Sequence, residues 1–80
     1  MTDAIDDLLK MAQEETGKKD SYPFLPEIIR SLEVIRDDPG AAQEERVRRA
    51  RGLGRLVTES FDFSESPLGT SILLFLEGYV

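Results

Sequence analysis

The sequence predicts an all-α protein, a small bundle of about four helices with antiparallel neighbours, and three observations predict it. Four segments repeat their apolar residues at helical spacing. Three of the four open on proline start signals: Pro23 with Pro26, Asp38-Pro39, and Ser66-Pro67. The connections are short, which places consecutive helices side by side. The 80 residues make one helical domain, residues 1–80, with a core near the size at which small proteins rely on staples or association.

The first helix is expected from about Asp3 to Thr16, capped by Thr2 or Asp3, with Ile5, Leu8, Leu9 and Ala12 on its apolar face. Asp6 and Asp7 sit near the positive end of its dipole, and Gly17 stops it. Lys18-Lys19-Asp20-Ser21 is a polar connector. The second helix is expected from about Pro26 to Asp37, because proline at the first turn gives up no hydrogen bond that the helix would make. Phe24, Leu25, Ile28, Leu32 and Ile35 line one side of it.

Asp38-Pro39 reads as a cap followed by a first-turn proline, opening a third helix that reaches Ser60 and spans about 30 Å at 1.5 Å per residue. Its inward face holds Ala42, Ala50, Leu53, Gly54, Val57 and Phe61. Gly52 and Gly54 each cost about 1 kcal/mol relative to alanine, so a break near Gly52 competes with a continuous helix. Ser60 to Glu65 is the next connector, in which at least one of Phe61 and Phe63 plugs the end of the core. Ser66-Pro67 then opens the last helix.

Composition narrows function mostly by exclusion. The chain has no Cys and no His, which removes disulfides, thiol or imidazole nucleophiles and the usual zinc ligands. Sixteen acidic against ten basic residues give a net charge of -6, which opposes attraction to nucleic acid and favours a basic partner. The start, Met1 to Asp7, is acidic where a secretory signal is basic, and the apolar run Ile72 to Leu76 is far below the roughly 20 residues that span a bilayer. The expected location is therefore cytoplasmic, with no membrane association.

Arg46, Arg48, Arg49, Arg51 and Arg55 cluster on the third helix, a pattern that can neutralise phosphates. The spacing offers local partners instead: Glu44 to Arg48, Glu45 to Arg49, and Arg55 to Glu59. Arg46 points to the apolar stripe, so it snorkels to water or pairs with a carboxylate from another helix. The acidic pairs Asp6-Asp7, Glu14-Glu15, Asp37-Asp38 and Glu44-Glu45 diverge by 100° along a helix and form no cation loop. The serines have no histidine to activate them. No catalytic, cofactor or metal residue is expected, and the chain is not expected to be an enzyme.

The last helix carries the strongest signal. Leu68, Ile72, Phe75, Leu76 and Tyr79 form one stripe, while Leu73, Leu74 and Val80 fall on its flanks. A stripe of that width already satisfies one core, so a partner is expected at Leu73, Leu74 and Val80, with Tyr79 at the edge; the competing expectation is a central helix wrapped by the other three, with these residues as ordinary core. The expected function is a protein-binding module, acting as a regulator or inhibitor or as a subunit, that docks another protein or forms a homodimer. The rival expectation is a nucleic-acid-binding regulator using the third helix.

Overall fold

The computed structural model describes residues 4–19 and 22–80. Among them the chain forms five α-helices and no strand: α1 (Ala4–Thr16), α2 (Leu25–Asp37), α3 (Gln43–Thr58), α4 (Phe61–Glu65) and α5 (Pro67–Tyr79). The protein is a small all-α bundle. The cap expected at Thr2 or Asp3, and the Asp20-Ser21 half of the first connector, lie outside the described residues.

One core serves all five helices. α1 gives it Leu8, Leu9 and Ala12; α2 gives Leu25, Ile28, Leu32 and Ile35; α3 gives Leu53 and Val57. Phe63 enters from α4, and Leu68, Ile72 and Leu76 enter from α5. Leu25, Ile28, Leu32 and Ile72 are fully buried, each stabilising the fold by roughly 1.5–3 kcal/mol through the area it removes from water. α1 and α2 make the most extensive pairing, and α5 closes the core by lying against α1, α3 and α4.

α3 begins at Gln43 and not at Pro39 as the Asp38-Pro39 signal implied. Residues 38–41 form a turn instead, in which the Ala41 N–H donates to the Asp38 carbonyl at 3.3 Å. The Asp38 side chain leaves the expected capping role and accepts from Arg49, eleven residues on, at 2.9 Å. Ala42 precedes the helix in an extended conformation with no side-chain cap, leaving Glu44 and Glu45 to offset the charge of the first turn. The helix runs unbroken through Gly52 and Gly54, because the burial of Leu53 and Val57 on the same segment exceeds the cost of two glycines. Thr58 donates its hydroxyl back to the Gly54 carbonyl at 2.9 Å, and the helix stops there.

The expected connector from Ser60 to Glu65 contains a helix of its own. Ser60 is extended, its hydroxyl accepts the Phe63 N–H at 3.3 Å, and the chain restarts as α4. That restart turns Phe61 off the inward face of α3, where the spacing had placed it, and leaves it 72% exposed. Phe63 is the plug, fully buried and edge-on to Tyr22 and Phe24 at 5.0 and 5.2 Å between ring centres. Such aromatic edges add about 0.5–1.5 kcal/mol to the burial.

The joint between α4 and α5 is tight. Ser66 donates its N–H to the Phe63 carbonyl at 3.0 Å and its hydroxyl to the same oxygen at 2.6 Å, while that hydroxyl accepts the Gly69 N–H at 3.1 Å. Pro67 fixes the first turn. Gly69 is buried against this joint.

Candidate functional site

The four residues expected at a partner surface divide into two kinds. Leu74 is 64% exposed and Val80 is 48% exposed. Leu73 is half-buried and packs on the core rim. Tyr79 is also half-buried, and its ring is enclosed by its own molecule. The outward line of α5 therefore reads Thr70, Leu74, Glu77 and Gly78, with Leu74 as the large apolar side chain standing clear.

Tyr79 is held between α3 and its own helix. Its ring stacks on Phe75 at 5.9 Å, and the Arg46 guanidinium lies 5.3 Å from its centre. Arg46 neither snorkels freely nor meets a carboxylate as its place on the stripe implied. It donates to three backbone carbonyls: Pro39 at 2.8 Å, Ala41 at 3.1 Å and Tyr79 at 3.4 Å. The cation thus joins the α2–α3 turn to the last turn of α5.

One turn along α3, Arg49 is 18% exposed and pairs with Asp38 at 2.9 Å and Glu45 at 3.5 Å. Its hydrogen bond to the Asp38 carboxylate raises the Arg49 pKa above its ordinary value. The Arg49 Nη1 and Tyr79 hydroxyl atoms are buried without a well-formed hydrogen bond among the described residues. Asp38 thus supplies the formed hydrogen bond that holds Arg49, and Glu45 adds a longer ion pair.

These contacts divide the arginine cluster. Arg46 and Arg49 are occupied inside the fold, and Arg48 pairs with Glu45 at 2.7 Å, one turn before it rather than with Glu44. Arg51 and Arg55 stay exposed. The open depression beside them, about 470 Å³, is lined by Gln43, Glu44, Val47, Arg48 and Arg51, so a carboxylate stands among its cations. Among the described residues no group of three or more acidic side chains is placed to hold a metal ion. No described helix is long and apolar enough to cross a membrane.

A second apolar feature escaped the sequence reading. Between α2 and α3 lies a groove of about 330 Å³ whose lining includes Val34, Leu53 and Leu56, with Arg30 and Arg49 beside them. Val34 is 44% exposed there. Gly52 also lines it, and a Cβ at that position would touch nothing within 4 Å, so the α3 side of the groove is open. Val34 lay off the α2 stripe in the sequence, which was the one available signal; which helix would face it was not encoded locally.

No protein-family model matches the chain, and neither a curated protein nor a solved structure does so.

Proposed function

We propose that this chain is a small acidic protein-binding module of the cytoplasm, a regulator, inhibitor or docking subunit, that takes its partner on the outward side of α5. The observation that carries the reading is Leu74, 64% exposed on a helix whose opposite side supplies Leu68, Ile72 and Leu76 to the core. Val80 extends the apolar surface beyond the last turn, and Thr70 and Gly78 keep its surroundings low enough for another helix to approach. Burying such a patch returns roughly 25 cal/mol per Å² before the costs of association.

Phosphate binding by α3 is the weaker reading. Two of its five arginines are spent on Pro39, Ala41, Tyr79 and Asp38, a third is paired with Glu45, and the net charge of -6 repels polyanions. Leu74→Glu separates the readings, since the side chain already meets water and the charge leaves the core intact. A wild-type bait is expected to retain a specific protein from its native lysate, and the Leu74→Glu bait to lose it with an unchanged melting curve. Retention that ignores Leu74→Glu but falls when Arg51 and Arg55 become Gln, with nucleic acid in the bound fraction, would transfer the function to α3.

A further inference from the structure

The fold displays a knob and a hole of complementary chemistry. The knob is Phe61, 72% exposed at the start of α4, with Glu59, Asp62 and Glu65 around it in the chain and both Glu59 and Asp62 exposed. The hole is the α2–α3 groove, whose floor is Leu53 and Leu56, whose lip is Val34, and whose rim carries Arg30 and Arg49. Arg30 forms no ion pair with the described residues. At about 330 Å³ the groove lies at the low end of the range of ligand pockets, roughly 300–1,000 Å³, and is large enough for a phenyl ring.

We propose that a second copy of this chain fills the groove, its Phe61 ring seated on Leu53 and Leu56 and its Asp62 and Glu59 carboxylates facing Arg30. Both halves of the contact are on one molecule, and their charges are opposite: an aromatic flanked by acids meets an apolar slot beside Arg30, the lining arginine that is not already paired with Asp38 and Glu45. Each copy carries both parts. α3 ends at Thr58, just past the Leu56 end of the groove, and α4 starts at Phe61, so knob and hole are separated by a short stretch of chain and two copies can each give one and take one. The open space at Gly52 lets the approaching backbone come close to α3.

The contact is separate from the α5 surface, and its test keeps the two apart. Sedimentation velocity of the full chain over a concentration series is expected to show a reversible dimer. Phe61→Ala and Val34→Glu should each weaken dimerisation roughly tenfold or more, since anchor residues dominate small interfaces. Circular dichroism melts of both variants, taken at a concentration where the wild type is monomeric, should match wild type, because both side chains are exposed. An equimolar mixture of the two variants should recover part of the association, the Phe61 of the Val34→Glu chain entering the intact groove of the Phe61→Ala chain while the second contact stays broken. Leu74→Glu should leave the dimer as it is. A chain that stays monomeric at its highest soluble concentration, or a dimer lost in Leu74→Glu and kept in Phe61→Ala, would overturn the proposal.

Discussion

The α-carbon of Gly69 faces the carbonyl of Phe63 so closely that no side-chain atom fits between them. A Cβ on Gly69 would collide with that oxygen, lie 2.9 Å from its carbon and 3.1 Å from the Ser64 α-carbon. All three obstacles are backbone, and the carbonyl is already fixed by two donors from Ser66. The α4–α5 joint therefore depends on a residue whose contribution is what it lacks.

Two glycine substitutions should then act in opposite directions. Gly69→Ala is expected to destabilise by at least about 1–3 kcal/mol, the usual cost of an overpacked site, even though alanine favours helix. Gly52→Ala meets nothing within 4 Å on an exposed helical position and is expected to stabilise by about 1 kcal/mol. Thermal melts decide both, since each kcal/mol moves the midpoint by about 4–8 °C in a domain of this size. A Gly69→Ala protein that melts with wild type would refute the close approach.

The paired phenylalanines offer an equally sharp contrast. Phe63→Ala removes the ring that meets Tyr22 and Phe24 and should cost about 3–5 kcal/mol. Phe61→Ala removes an exposed ring and should change the stability of the monomer by no more than about 0.5 kcal/mol. Urea titrations at low protein concentration measure each. Similar losses in the two variants would mean that the helix restart at Ser60 is misplaced.

Arg46→Lys probes the tie between α3 and the last turn of α5. Lysine keeps the charge but cannot reach Pro39, Ala41 and Tyr79 together from one planar group. The expected loss is about 1–2 kcal/mol, the scale of a charge-assisted bond or two that water replaces only in part. Amide hydrogen exchange should quicken in the last turn of α5 more than in α1 or α2. Uniform exchange across the chain would indicate that the arginine supports the fold only in a general way.

Much of this architecture is legible in the residues because it is set locally. Ser66-Pro67 announced α5 through a hydroxyl cap and a fixed proline torsion, both acting within one turn. Apolar spacing placed the faces of α1 and α2 for the same reason. The misreadings have tertiary or short-range causes. Asp38 looked like a cap until Arg49, distant in sequence, claimed its carboxylate. α4 is five residues long, too short for any helical period to register, and its one sign was Ser60 standing three residues before Phe63. At the candidate surface, the exposure of Leu74 and the place of Tyr79 on the inward stripe followed from their angles on α5, but the arginines that enclose Tyr79 did not. That enclosure depends on Arg46 and Arg49, and on how α3 is rotated toward α5.

The packing of α5 against α1 has a consequence for the route by which the chain reaches this state. The two helices are separated by residues 17–66, so their contact closes the largest loop in the molecule. Loop closure carries an entropic cost that grows with the logarithm of its length, whereas α1 and α2 meet across a short connection. The α1–α2 hairpin is therefore expected to form before the α1–α5 contact, an order that folding and unfolding rates of core variants test. Truncating Ile72 should accelerate unfolding with little effect on the folding rate, and truncating Leu9 or Ile28 should slow folding itself.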